Sequence, residues 1–354
     1  MKIESFEVYR STDGTVSKYI HEDGSETAVK LVKSVQSVLN PITNQIETRE
    51  SDRNKYSVFI SSSVGCFMKC KFCHLTLKNS KFIRLSNLEV LNNLKEAIED
   101  AVAFNPDMKN RYIKLSWMGM GDAFNKPNMV YEVTLQLLDW VFEKGYSIGL
   151  DGVDLSTVIP RKLGNHDWMG IFHHLERCLR EKYKINPAYS MDNTEYTNGS
   201  YSHKNIFRLF YSIGSAVPEK KEHVVPHAMF LDDAAKQLVL YQQGGKYTVI
   251  LHHTLVDGLN DSDEELDMLI RYVNLYFRDN ELRILRYNHC SKDSYKESEH
   301  ITEQVRKLSD HINFLKVQIS PGTEVSAACG QFIVKDFIKF QSRFQQNNAV
   351  PATE

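Results

Sequence analysis

Strand-like and helix-like segments alternate about six times between residues 55 and 312, and this alternation restricts the fold of the 354-residue chain more than any other feature. "YIKLSWMG" (112–119) precedes a helical stretch near 127–144, and "SIGLDGVDLST" (147–157) precedes another. "IFRLFYSIG" (206–214) leads to "LDDAAKQLVLYQQ" (231–243), and "YTVILHHTLV" (247–256) leads to "NDSDEELDMLIRYV" (260–273). "LRILRYN" (282–288) is followed by "ITEQVRKLSDHI" (301–312). Strand followed by helix, repeated, predicts an α/β fold with a parallel sheet or barrel. Functional loops of such barrels gather at the C-terminal ends of the strands.

Ahead of the repeats, "FEVYRSTDGTVSKYIHEDGSETAVKLV" alternates and turns at Asp13-Gly14 as a hairpin should. Residues 34–54 are polar and read as a loop, and "KYSVFISSSVG" reads as a strand that ends at a cysteine-rich loop. Ser86 with Glu89 predicts a capping box for a helix whose Leu88, Leu91, Leu94, Ile98 and Val102 line one face. Composition is that of a soluble globular protein, with 42% hydrophobic and 25% charged residues. A net charge of −2 gives no global basic field for nucleic acid or membrane, although a local patch is compatible with it. No apolar run spans a bilayer and the N-terminus has no signal-peptide core, so a cytoplasmic location with reduced thiols is expected.

Three of the six cysteines, Cys66, Cys70 and Cys73, fall within "CFMKCKFC". The others, Cys178, Cys290 and Cys329, are scattered, unlike the disulfide framework of a short secreted chain. Structural zinc recruits two separated ligand pairs, and no second C-x₂-C lies downstream. The histidine pairs at 173–174 and 252–253 lack that spacing and read as surface and strand-end residues. A four-iron cluster fits better, because three thiolates leave one iron open to chelate S-adenosylmethionine. The C-x₃-C-x₂-C spacing, with Phe72 just before the last cysteine, resembles that of the radical S-adenosylmethionine enzymes.

Other strand ends carry candidate ligands. In "WMGMGDAFN", Gly119 and Gly121 allow close backbone approach, and Asp122 can accept from an ammonium group. Ser156, Thr157, Ser212 and Asn288 end later strands; singly such residues are more often helix caps, but together they outline a pocket rim. Cys329 sits among small residues in "GTEVSAACGQFIV", which suits either a buried inert cysteine or a loop presenting a thiol.

The motifs in order resemble the RlmN/Cfr family of radical S-adenosylmethionine RNA methyltransferases. They are "SSSVGCFMKCKFCHLT", "MGMGD" for the family's MGMGE, "DLSTVIP", "YSIGSAVPEKKEHVVP", "VDGLNDS", "YN" at 287–288 and "AACGQF". The resemblance implies a partial (β/α)6 TIM-like radical S-adenosylmethionine barrel with a small N-terminal β extension. Residues 1–54 would be that extension, 55–340 the barrel with its C-terminal cysteine loop, and 341–354 a polar, disordered tail. It also implies roles. Cys66, Cys70 and Cys73 would hold a [4Fe-4S] cluster. Phe72, Gly121, Asp122, Ser156, Ser212 and Asn288 would contact S-adenosylmethionine. Cys329 would carry the methyl group, and Glu26 would take a proton from the substrate.

The implied activity is methylation of carbon 2 or 8 of an adenine in rRNA or tRNA. In the family's scheme, one S-adenosylmethionine would methylate Cys329, a second would yield a 5′-deoxyadenosyl radical that removes hydrogen from that S-methyl group, and the carbon radical would add to the ring. Partners would be RNA and an electron donor such as flavodoxin or ferredoxin. Some positions depart from the family pattern. Its resolving cysteine, seven residues before the first cluster ligand, is Phe59 here, which leaves Cys178 and Cys290 as spare thiols. Asp122 replaces a glutamate, Gly214 a histidine and Pro321 a basic residue; residues 165–204 look like an insertion, and the family's leading helical RNA-binding module has no counterpart in the 65 residues before Cys66. Diverged chemistry on another nucleic acid or a nucleotide, or a cofactor-binding homologue without turnover, are the alternative readings.

Overall fold

The computed structural model describes residues 6–32, 35–39, 46–50, 55–163, 167–185, 206–244, 247–288 and 295–318. Strands β1 (Phe6–Arg10), β2 (Val16–His21) and β3 (Glu26–Val32) run antiparallel in chain order. Gly14, at φ 68°, closes the first turn, where Asp13 accepts from the Thr15 amide at 3.0 Å. The stretch expected as a loop holds instead two paired antiparallel strands, β4 (Val35–Leu39) and β5 (Ile46–Glu50). Val35, Val38 and Leu39 of β4 do not alternate, so the stretch shows no period of two, and the pairing is made by the backbone.

Next come β6 (Lys55–Phe59), β7 (Ser63–Val64), α1 (His74–Leu77), β8 (Ile83–Arg84) and α2 (Asn87–Phe104). The alternating part follows with β9 (Tyr112–Trp117), α3 (Pro127–Glu143), β10 (Gly149–Thr157), α4 (Trp168–Lys182) and β11 (Phe207–Ser212). It continues through α5 (Pro218–Val224), α6 (Leu231–Gln243), β12 (Thr248–His253), α7 (Asp263–Tyr276), β13 (Leu282–Leu285), α8 (Ile301–Ser309) and β14 (Leu315–Gln318). One sheet takes the order β1-β2-β3-β6-β9-β10-β11-β12-β13-β14. From β6 onward every neighbouring pair is parallel, as the strand–helix alternation requires. The six expected parallel strands are β6 and β9 to β13, and β14 adds one that the sequence reading did not name.

Alternation divides the residues of the parallel strands between two faces. Val58, Leu115, Val153, Leu209, Leu251 and Ile284 are buried in the main apolar core with the helices. The opposite face is polar: Asp154 pairs with Lys114 at 3.0 Å and with Arg208 at 2.6 Å, Lys55 pairs with Asp151 at 2.6 Å, and Glu281 pairs with Arg283 and Lys316. The predicted capping box of α2 is present, but Leu88 is 66% exposed, and the buried stripe starts at Val90 and Leu91. Within the segment read as an insertion, α4 buries Trp168, Phe172, Leu175 and Leu179. Phe172 packs on Phe124 and Phe207 at 5.6 and 4.9 Å, so this part of 165–204 is the crossover helix between β10 and β11.

Candidate active site at the strand ends

The cysteine loop leaves β6 through Ser61, Ser62 and Ser63, all buried. Hydrogen bonds lace it to the loop after β9: Gly119 N donates to Ile60 O (2.9 Å), Met120 N to Ser61 Oγ (3.0 Å) and Ser62 N to Met120 O (2.9 Å). A Cβ on Gly119 would lie 2.6 Å from Ser61 Oγ and 2.7 Å from Ile60 O; one on Gly121, at φ +90°, would strike the Ser62 and Ser63 hydroxyls. The close approach anticipated for these glycines is therefore made first to the serine run, which carries the cysteines. The run itself, three serines before a Val-Gly-Cys, was the signal available in the sequence.

Cys66, Cys70 and Cys73 are half-buried on one loop, with Cys73 N donating to Cys70 O at 3.0 Å. Burial pushes the thiols of Cys66 and Cys70 up, and the nearby Cys73 pushes them further. Such thiols do not ionise together unless a cationic centre draws them into the thiolate form. Among the described residues, no three His, Cys, Asp or Glu side chains gather as a single metal ion would need. A cluster takes one thiolate on each of three irons, and the three thiols of this loop are the donor set that such a group would use. Next to Cys73, His74 is buried with both ring nitrogens unpartnered; burial first, then Lys78 and Lys18, lower its pKa to about 4.

Asp122 caps the turn after β9 and reaches across to the end of β10. Its carboxylate accepts from Phe124 N (3.0 Å), Val158 N (3.0 Å) and the Thr157 hydroxyl (2.9 Å). Burial raises its pKa to about 6, and those same hydrogen bonds hold the rise back. Ser156 and Ser212, at the ends of β10 and β11, bring their hydroxyls within 3.5 Å of each other. Asn288 is half-buried beyond β13, and its neighbour Tyr287 donates from its hydroxyl to Phe72 O at 3.2 Å. The far end of the sheet is thereby fastened to the cysteine loop. Phe72 packs with Met68, Val158, Val224, Val225 and Ala228.

The loop after β11 is fixed from behind by residues the sequence reading did not assign. Glu265 accepts from the Ser215 hydroxyl (2.6 Å) and from Ala216 N, and Asn260 Nδ2 donates to Gly214 O (2.6 Å). "VDGLNDS" held the signal for Asn260. Glu26 is buried on β3, with Lys18 at 3.0 Å, and its carbonyl accepts from the Ser61 hydroxyl at 2.5 Å. Phe59 packs against the cluster of Val16, Ala28, Leu75 and Met120, which Cys66 and Cys73 also border, with Lys30 Nζ 4.3 Å from its ring centre. Cys178 lies on α4, 3.8 Å from Tyr131 Oη of α3 and 3.7 Å from His174 Nε2, among the helices rather than at the strand ends. His173, expected at the surface, is instead half-buried and stacked on Tyr247 at 3.9 Å. Cys329, Cys290, Pro321 and the tail 341–354 lie outside the described residues. A separate cavity of about 460 Å³ between α5, α6 and α7 holds none of the predicted site residues.

No protein-family model matches the chain. The dual-specificity RNA methyltransferase RlmN of Campylobacter hominis is 28% identical over 345 residues, covering 92% of this chain and 79% of that protein. A probable dual-specificity RNA methyltransferase RlmN of Flavobacterium johnsoniae is 25% identical over 337 residues, covering 92% and 78%. The crystal structure of a radical SAM methyltransferase from Sphaerobacter thermophilus superposes with a TM-score of 0.60 at 19% identity, covering 94% of this chain and 82% of that one. That likeness is one of fold. Over 92% of its length the chain is thus similar in sequence to RNA methyltransferases named RlmN, and similar in fold to that radical SAM methyltransferase.

Proposed function

We propose that this protein is a radical S-adenosylmethionine methyltransferase that modifies an sp² ring carbon of an adenine in an rRNA or tRNA substrate. The observation that carries the reading is the meeting of three cysteines on one loop with Asp122, Ser156, Ser212 and the Tyr287–Asn288 segment at the C-terminal ends of parallel strands. Cys66, Cys70 and Cys73 would hold a [4Fe-4S] cluster, which with S-adenosylmethionine supplies one-electron cleavage of the sulfonium. The rim residues bind and orient. Ser156 and Ser212 offer hydroxyls, Asn288 an amide, and Phe72 an apolar wall. Asp122 has its oxygens engaged by Thr157, Val158 and Phe124, so it fixes the two loops and faces the cofactor only with its remaining acceptor capacity. Cys329 would carry the methyl group. Glu26, buried beside Lys18, would take the ring proton. A cytoplasmic setting and a flavodoxin- or ferredoxin-like donor complete the reading.

Phe59 favours a second reading, in which the radical chemistry is retained but release of product has diverged, or the substrate is another nucleic acid or a nucleotide. A phenyl ring under the Lys30 ammonium forms no disulfide, and Cys178 is held between α3 and α4. One experiment separates the readings. Anaerobically reconstituted protein is incubated with reductant, S-adenosylmethionine and total RNA, and both RNA nucleosides and protein are analysed by mass spectrometry. Free methyladenosine supports the first reading. A protein–RNA adduct on Cys329 supports diverged release, and neither product with 5′-deoxyadenosine formed points to another substrate. An absence of 5′-deoxyadenosine overturns the proposal.

A further inference from the structure

Between Gly65 and Leu88 the chain carries Lys69, Lys71, Lys78, Lys81 and Arg84 and no Asp or Glu, although its overall net charge is −2. Lys69, Lys78, Lys81 and Arg84 are exposed, and among the described residues none of the five forms an ion pair. Glu89, the next carboxylate along the chain, is engaged at the cap of α2, accepting from Ser86 N and Oγ at 2.6 and 2.7 Å. The positive field reaches Lys126: its pKa is lowered, by burial first and by Arg84 next.

Apolar groups are interleaved with this charge. Phe82 and Ile83 are 38% and 41% exposed, and Phe82 meets Phe67 edge-on at 5.8 Å, with His227 6.1 Å beyond. An exposed aromatic ring among unpaired lysines suits single-stranded nucleic acid, where cations follow phosphates and rings stack bases. A protein partner would instead favour a patch whose centre is depleted of lysine. The patch is also locked to the site. Ser63 pairs with Arg84 and Val64 with Ile83, and a Cβ on Gly65, at φ +64°, would lie 2.5 Å from Lys81 O. The hairpin therefore presses directly on the residue before Cys66.

We infer that the β7–β8 hairpin and the turn after α1 form a grip for single-stranded or loop RNA, which brings the target base beside the cysteine loop. The inference rests on the RNA reading above. Holoenzyme binding to a fluorescein-labelled RNA stem-loop, measured by anisotropy across a salt series, tests it. A triple Lys78→Glu, Lys81→Glu, Arg84→Glu variant should bind at least about tenfold more weakly, with the log–log salt slope smaller by about 2. Phe82→Ser should weaken binding about tenfold with the slope unchanged. In both variants, reductive cleavage of S-adenosylmethionine without RNA should stay at the wild-type level, which separates loss of grip from misfolding. Wild-type affinity in the triple variant overturns this surface and leaves the RNA reading standing. If the wild-type holoenzyme binds no RNA, the RNA reading falls too. Equal or tighter binding of a DNA loop of the same sequence would overturn the assignment to RNA.

Discussion

At Gly119 a single hydrogen in place of a methyl group decides whether the cysteine loop can close. The serine hydroxyl and the Ile60 carbonyl stand 2.6 and 2.7 Å from where a Cβ would be, and the second belongs to backbone that cannot swing away. Gly119→Ala should cost about 1–3 kcal/mol by overpacking and lower the iron bound per chain after anaerobic reconstitution; unchanged iron content and melting temperature would contradict this. Asp122 makes a related point. An asparagine there offers one acceptor oxygen where two oxygens now serve Phe124 N, Val158 N and Thr157 Oγ1. Asp122→Asn should destabilise the fold by about 1–3 kcal/mol, read as a shift in the urea midpoint with the slope retained. The sequence showed that Asp122, Ser156 and Ser212 would share a rim, because each follows a strand of the repeat. It could not show that Asp122 is bonded to Thr157 and Val158, since that bond depends on how two adjacent loops fold over each other.

Among elements, the parallel strands were legible and the ion pairs across them were not. A strand such as "FRLFYS" gives away its alternation, but the partner of Arg208 is set by the register of β10 against β11, where Asp154 stands opposite. Burial raises and Arg208 and Lys114 lower the Asp154 pKa, and the cations prevail, bringing it to about 2. A carboxylate held below its ordinary value of 3.8 contributes stability above about pH 4 that is lost as pH falls towards 2. The contribution at stake is about 2 kcal/mol. Asp154→Asn should lower stability at pH 7 by about 3 kcal/mol, since it leaves two cations facing a neutral amide, and should flatten the acid limb of the stability–pH curve between 4 and 2. A variant with the same acid limb as the wild type would show that Asp154 is not the group responsible. Strands β4 and β5 escape the sequence for a related reason: the apolar residues of β4, Val35, Val38 and Leu39, fall out of alternation, and the pairing lies in the backbone.

For the molecule as a whole, the contact from Tyr287 Oη to Phe72 O joins residues 215 apart in sequence and ties the sheet's far end to the cysteine loop. Tyr287→Phe should cost about 0.5–1.5 kcal/mol. Because Asn288 follows directly, it should also raise the KM for S-adenosylmethionine while bound iron stays constant. A parallel fall in iron would instead show that the contact holds the cysteines themselves.

The same contact sets an order on how the protein comes into being. On the ribosome, at roughly 5–20 residues per second, Tyr287 emerges on the order of ten to forty seconds after Phe72. Until then the three thiols sit in a nascent chain whose β13 end has yet to be made. The strand-end rim that Tyr287 joins to the cysteine loop is thus completed only once the chain beyond β13 has been made.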